Sequence, residues 1–361
     1  MDRLEKAILC TIHSISGLGN RSLWKIMDTF GSFQNFFEAD RKTLYASSFL
    51  KPEIIDNLLE KRKSSPETLM EAYHSEGIEM VTWDESLYPH NLRNISNPPV
   101  ILYYRGDIEL TGQVCLAVVG SRAASVYGRN VARKLARELA EAGIVIVSGM
   151  ARGIDSEAHQ GALEAGKTIA ILGSALNVIY PPENRKLFQE IIARGAVISE
   201  FPLHTHPEPL NFPLRNRIIS GLSRGVVVVE GKEKSGALIT ADFALEQGRD
   251  VFAVPGPINS KTSAGPNNLI KQGAILITGI EDILEEYYDI NRTPKTLKQD
   301  RLLLLDDNEK LVLELLAHES LHFDELIQGS GLEIGTISAI LFKLEFEGII
   351  KSLPGNYYVR I

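Results

Sequence analysis

Cysteine is almost absent from this chain: 361 residues contain two, Cys10 and Cys115, far apart and each inside an apolar run. No disulfide framework or zinc-ligand spacing can be built from them, so a reducing, cytoplasmic compartment is expected. Long apolar runs are missing too. None approaches the roughly 20 residues needed to cross a bilayer, and the start, Met1-Asp2-Arg3-Leu4-Glu5-Lys6, lacks the basic-then-apolar profile of a signal peptide. Proline and glycine are not in excess, at 16 and 29 residues, which excludes a low-complexity or disordered chain. Net positive charge is lacking as well. At −8 the whole surface should repel nucleic acid, so any such site must be a local patch.

The charge is unevenly spread. Residues 1–97 carry 11 basic and 14 acidic groups, and 98–290 carry 19 and 21. Residues 291–304 carry 4 and 1, and 305–361 carry 4 and 10, which puts most of the deficit in the last segment. The length suggests two or three domains. Residues 1–65 read as a helical module, with Leu4, Ala7, Ile8 and Ile12 at helical spacing, then Gly17-Leu18-Gly19, then Leu23, Ile26, Met27 and Phe30 on one face. That pattern fits either a helix-hairpin-helix or SAM-like DNA module, whose turn amides meet a phosphate, or a plain packing domain. Residues 66–97 read as a connecting segment.

Between 98 and 290 short β-branched runs alternate with amphipathic helices. The expected strands are Val114–Val119, Ile144–Val147, Thr168–Leu172, Ala196–Ser199, Val226–Val229, Val251–Val254 and Ile275–Ile277. Near-continuous apolar strands joined by helices predict an α/β, Rossmann-like, doubly wound parallel sheet, whose ligands bind at the C-terminal strand ends. Residues 291–304 read as a linker. Residues 305–361 predict three helices, near Glu309–Leu316, Phe323–Gln328 and Ile334–Phe346, and a closing strand pair around Pro354-Gly355-Asn356, a winged helix. On its third helix Glu333, Glu345 and Glu347 outnumber Lys343, the wrong sign for phosphate, so the module reads as a protein contact.

The strand-end loops carry the chemistry. The first reads Gly120-Ser121-Arg122, where glycine admits close backbone approach and the arginine supplies a bidentate charge. The second carries Gly149, Arg152 and Gly153, with Asp155 as a helix cap. The third reaches Tyr180-Pro181 and then Arg185, Lys186 and Phe188, a basic pair beside an aromatic that suits single-stranded nucleic acid unless Phe188 is simply buried on its helix. The fourth leads to Phe212-Pro213-Leu214-Arg215-Asn216-Arg217, and the fifth to Ser235-Gly236. Each loop alone is a weak signal. Several on one sheet edge make an anion-binding surface.

In this order, Gly120-Ser121-Arg122, Ser148–Asp155, Tyr180-Pro181, Phe212–Ser223, Ser235–Thr240 and Pro255-Gly256 resemble the DprA/Smf family of DNA-processing proteins. The resemblance covers 98–290 closely, and the flanking modules suit longer members. It implies an extended Rossmann fold that binds single-stranded DNA without catalysis or cofactor. It also implies a homodimer, and loading of RecA recombinase onto DNA taken up in natural transformation. By motif, Arg122, Arg185 and Lys186 are the implied phosphate contacts and Phe188 a stacking residue. The implied dimer face runs over Asn268, Leu269, Lys271 and Leu276.

Other motifs fail on context. Gly161–Thr168 matches a P-loop letter for letter, but it ends a helix and begins a strand, the reverse of what phosphate binding requires. Gly221-Leu222-Ser223-Arg224-Gly225 matches a hydrolase nucleophile elbow, again with helix before strand. His204 and His206 lack a third ligand, so no metal site is expected. The rival reading is a nucleotide-binding enzyme of the phosphoribohydrolase type or a nucleotide sensor, with Glu230 as a base. Pro255-Gly256-Pro257 lacks the Gly-Thr of that class.

Overall fold

A computed structural model describes residues 1–287, 306–316, 320–346 and 349–360. The described residues to Tyr287 form one compact unit and those from Asp306 a second. The expected linker, 291–304, lies outside the described residues.

The first unit opens with α1 (Arg3–His13), α2 (Asn20–Phe30), α3 (Phe33–Glu38), α4 (Arg41–Ala46), α5 (Pro52–Lys61) and α6 (Pro66–Ser75). Next come β1 (Glu79–Thr82), α7 (His90–Arg93), β2 (Ile101–Gly106), β3 (Cys115–Val119), α8 (Val126–Glu141), β4 (Val145–Ser148) and α9 (Ile154–Ala165). After these stand β5 (Thr168–Leu172), α10 (Arg185–Arg194), β6 (Ala196–Ser199), α11 (Asn211–Leu222) and β7 (Gly225–Val228). The unit closes with α12 (Gly236–Glu246), β8 (Asp250–Ala253), α13 (Ala264–Lys271), β9 (Ile275–Leu276) and α14 (Glu281–Glu286).

One sheet holds all nine strands in the order β1-β2-β6-β5-β4-β3-β7-β8-β9. From β6 to β9 every pairing is parallel, while β2 runs antiparallel to β6 and β1 antiparallel to β2. The seven parallel strands are those expected from their apolar runs. Strands β3 to β7 are buried at every residue, which is why they read as continuous rather than alternating. The antiparallel pair was missed. The stretch read as a connector carries α6, β1 and α7, and β1 is four residues long, too short to show a period.

The helical segment does not stand apart. Its apolar residues Ile8, Leu23, Ile26, Phe36 and Leu58 share one buried cluster with Tyr103, Ala170, Leu172 and Val197 of the sheet. Tyr73 stacks on Tyr103 with ring centroids 4.7 Å apart, and the Tyr103 hydroxyl lies 3.0 Å from His13 Nδ1. At the Gly17–Gly19 turn, Asn20 donates to the Pro98 carbonyl and accepts from the Val100 amide, both at 2.8 Å. The Asn20 side chain at the entrance to α2 is therefore committed to the protein's own backbone.

The order of the sheet reverses between β3 and β7. Strands added before β7 lie on one side of β3 and those after it on the other. Loops leaving the C-terminal ends of β3 and β7 diverge there and open a crevice, the usual ligand position in an open α/β sheet.

The second unit is a winged helix: α15 (Asp307–Leu315), β10 (Leu321–His322), α16 (Phe323–Ser330), α17 (Ile334–Phe346), β11 (Ile350–Leu353) and β12 (Tyr357–Arg360). The hairpin expected at Gly355 is present, and β10 adds a third strand in the order β10-β12-β11. Val312, Leu326, Ile337 and Leu344 close its core.

Candidate nucleic-acid interface

Two adjoining cavities open over the strand ends. The smaller, about 20 Å³, is lined by Arg122, Gly149, Arg152, Ser174, Tyr180, Phe212 and Arg215 among others. It has room for a group the size of one water molecule, such as a single phosphate oxygen. The larger, about 270 Å³, lies at the crevice between the β3 and β7 loops and is walled by Gly120, Ser121, Arg122, Phe212, Arg215, Asn216, Lys232, Lys234, Ser235 and Gly236. Arg122, Phe212 and Arg215 line both, so the two adjoin across these side chains in one cleft region over the strand ends.

Arg215 is the unexpected centre. Read as a surface contact at a helix entrance, it is 4% exposed. Its Nη1 lies 3.9 Å from the buried Asp155 carboxylate, and its Nε has no hydrogen-bond partner. Burial pulls the guanidinium down to about 10, with Asp155 opposing and Arg122 adding to the fall. The same burial raises the Asp155 carboxyl against the pull of Arg215 and Arg122. Two arginines thus share one carboxylate, a local imbalance that an incoming anion offsets. Asp155 sits in the first turn of α9 rather than capping it; the cap position is Gly153.

The glycines make room for this arrangement. A β-carbon on Gly149 would stand 1.5 Å from Arg215 Nη1, so only glycine lets the guanidinium pass. Gly153 has φ of +75°, and a β-carbon there would meet the Ser121 carbonyl at 2.3 Å. It locks the β4 loop against the β3 loop.

Aromatic groups line the cleft, but not the one expected. Phe188 is fully buried in the core with Leu187 and Ile191, under the Arg105 guanidinium 5.9 Å from its ring, so it cannot stack on a base. The residue in that position is Phe212, half-buried, with the exposed Arg122 guanidinium 4.5 Å above its ring and Tyr180 6.0 Å away. Both rings were in the sequence motifs without being singled out; the available signal was the place of Tyr180 in the loop after β5 and of Phe212 in the first turn of α11, where the loop after β6 ends.

Other expected contacts separate. Arg217 is 4% exposed, pairs with Glu200 and donates to the Asn97 carbonyl at 2.6 Å, a structural tie outside the cleft. Asn216 lines the larger cavity while donating to the Gly236 carbonyl at 3.1 Å. Arg152 is exposed at the rim and pairs with Glu183. Arg185 and Lys186 are exposed on α10 and line neither cavity; Lys186 pairs with Glu190 at 3.7 Å, on a face shared with Glu164 and Glu183. Of the expected dimer residues, Leu269 is buried in the core. Leu276 is 46% exposed on the edge strand β9, Lys271 is exposed and Asn268 half-buried.

Glu230 does not face the cleft as a free base. It is 2% exposed and accepts from the Ser125 amide and hydroxyl, at 2.9 and 2.6 Å, and from Thr262 at 3.1 Å, holding the start of α8. Ser223 ends α11 fully buried and donates to the Ile219 carbonyl, far from an elbow geometry. Gly161 packs α9 against α8, where a β-carbon would meet the Arg133 carbonyl at 2.1 Å, and Gly166 caps α9. Among the described residues no cluster could hold a metal ion, and no helix is long and apolar enough to cross a membrane.

Fold and cleft define a Rossmann-like protein with a cleft that sets aromatic faces beside cationic groups. A profile of the DNA recombination-mediator protein A family matches residues 79–288, and a DprA winged-helix domain matches 296–356. Protein Smf of Synechocystis is 34% identical over the whole of both chains. The solved structure of DNA processing protein A from Streptococcus pneumoniae aligns with a TM-score of 0.67 at 36% identity, covering 78% of this chain and 97% of that one. The Helicobacter pylori protein, reported for its single-stranded DNA binding mode, aligns at 0.53 and 33%, covering 62% and 97%. The chain belongs to the DprA/Smf family of DNA-processing proteins. The family match begins at β1, which fits the strand pair that sequence periodicity missed.

Proposed function

We propose that this protein binds single-stranded DNA along the strand-end cleft without reading sequence and hands it to RecA recombinase during natural transformation. The observation that carries the reading is the buried Arg215, 3.9 Å from the Asp155 carboxylate, lining the same cavities as Arg122 and the half-buried Phe212 ring. Phosphates satisfy the charge and bases stack on the rings, the combination used for single strands. The single-stranded DNA binding described for the Helicobacter pylori relative supports it.

The protein acts as a binder rather than a catalyst. Glu230 is consumed by hydrogen bonds to Ser125 and Thr262, and Asp155 by its place against Arg215. Arg152 at the rim, and Arg185 and Lys186 on the neighbouring face, extend the contact with longer strands. Pairing of two copies through the β9 edge, where Leu276 is exposed, sets two clefts on one strand and raises avidity. The acidic winged helix serves a protein partner. Both cysteines are free and buried, in keeping with a reducing cytoplasm.

The test is a fluorescence-anisotropy titration of a labelled mixed-sequence oligonucleotide with duplex competitor, across a salt series. Preference for the single strand, and a salt slope that falls by about 0.7 in Arg122→Ala, are expected. No binding at low salt would refute the reading and favour the nucleotide enzyme.

A further inference from the structure

We infer that the cleft holds a second phosphate seat at the start of α12, distinct from the Arg122–Arg215 seat and formed by Lys232, Lys234, Ser235 and the first amides of the helix. The inference rests on the single-strand reading and adds one stretch of the strand's path: across the β3/β7 reversal.

α12 runs for 11 residues, and its first amides, Gly236 and Ala237, have no partner inside the helix. Ser235 occupies the cap position with extended backbone, yet its side chain makes no cap bond. Its Oγ is buried without any hydrogen-bond partner. An orphaned hydroxyl beside orphaned amides is a costly arrangement unless something else satisfies them. The helix dipole places positive potential at the same point.

Three further features aim the site at an anion on the cleft side. Lys232 and Lys234 line the larger cavity with Ser235 and Gly236, while Glu233 between them does not. No ion pair engages either lysine among the described residues, and both are exposed. Arg215, 4% exposed with an unpartnered Nε, lines the same cavity. The loop is held firmly: the Gly231 amide donates to the Thr262 carbonyl at 2.7 Å and the Gly265 amide to the Gly231 carbonyl at 2.8 Å. Asn216, reaching from α11, fixes the Gly236 carbonyl. A phosphodiester in the Arg122–Arg215 seat therefore has, on the far side of the Phe212 wall, a second seat for another phosphate of the same strand. The β3 loop serves the first and the β7 loop the second, which is what the reversal in strand order makes available.

The experiment compares the salt slope of single-strand binding in the full chain, Lys232→Ala/Lys234→Ala and Lys61→Ala/Lys63→Ala. The last removes two exposed lysines at the same spacing near the end of α5. The cleft pair, which serves one phosphate, should lower the slope by about 0.7, and the α5 pair should leave it unchanged. Equal slopes in the two double variants would overturn the second seat. Gly236→Pro removes one amide alone. Proline is tolerated at the first helical position, and nothing lies within 4 Å of an added β-carbon there. It should bind about tenfold more weakly than Gly236→Ala, with circular dichroism confirming the fold; equal binding of the two would count against the amides. A melting-temperature rise with pyrophosphate that is lost in the lysine variant, while strand binding is untouched, would assign the loop to free phosphates and overturn the strand seat. A wild-type chain that binds no single strand fails the underlying reading. A normal Arg122→Ala effect with no lysine effect fails this inference alone.

Discussion

Replacing Phe212 by alanine separates base stacking from charge. The ring is half-buried at the junction of the two cavities, with Arg122 4.5 Å above it and Tyr180 6.0 Å to the side. Loss of one aromatic stacking face costs roughly 1–3 kcal/mol of single-strand affinity, and 1.4 kcal/mol is about tenfold. The dissociation constant should therefore rise by about 5- to 150-fold. Because no phosphate contact is removed, the slope of log affinity against log salt should stay within a few tenths of wild type, where a lost phosphate changes it by about 0.7. Phe188→Ala is the matched control. That ring is fully buried, and truncating it costs roughly 3–5 kcal/mol of folding stability, while the folded fraction should bind DNA normally. Anisotropy titrations at four salt concentrations, paired with thermal melts, read both variants. Wild-type affinity in Phe212→Ala, or weak binding by Phe188→Ala at an unchanged melting temperature, would refute the assignment of the stacking face.

Gly149→Ala should displace the Arg215 guanidinium, since the new carbon falls 1.5 Å from Nη1; anisotropy should show affinity down at least tenfold with the slope lowered by about 0.7, and an unchanged slope would remove Arg215 from phosphate binding. Gly161→Ala should destabilise by about 1–3 kcal/mol through the α8–α9 contact, while ATP leaves the melting temperature of the parent chain unmoved; stabilisation by ATP would revive the P-loop. Acid should destabilise the fold through two buried histidines. Burial lowers His159 to about 3 and His13 to about 4, so both stay neutral in the folded chain while their unfolded counterparts protonate below about 6.5. That contribution is intact above about pH 6.5 and is lost as pH falls toward the folded values, roughly 2 kcal/mol each by pH 5. The raised carboxyls of Asp155 and Glu200 act in the opposite sense. Denaturant melts at pH 7.5 and pH 5 should therefore show a drop that shrinks by about 2 kcal/mol in His159→Asn, and an undiminished drop would contradict the buried-neutral assignment.

The parallel sheet was legible because strands buried on both faces leave unbroken apolar runs, as in Val226-Val227-Val228. Strands β1 and β2 were not, because their antiparallel pairing at the sheet edge depends on neighbours distant in sequence, such as Tyr103 against Ser199. The strand-end loops could be named from glycine beside arginine, but not the depth of each side chain. Arg215 and Arg217 are two residues apart on α11, about 200° around the helix. One therefore reaches the cleft and the other Glu200. Phe188 belongs to the apolar stripe of α10 with Leu187 and Ile191, a periodicity that pointed inward from the start. Phe212 had no such stripe to bury it. Lys232 and Lys234 carried no motif; only the β3/β7 reversal brings their loop to face Arg122.

The central claim is that single-stranded DNA lies over the C-terminal strand ends with its bases on Phe212 and Tyr180. Photo-crosslinking of a bromouracil-substituted oligonucleotide to the full-length chain, mapped by peptide mass spectrometry, tests it most directly. Crosslinks concentrated on the peptides holding Tyr180 and Phe212, and lost under excess unlabelled single strand, are the predicted result. Crosslinks confined to the winged helix or to the α1–α5 segment would contradict the account.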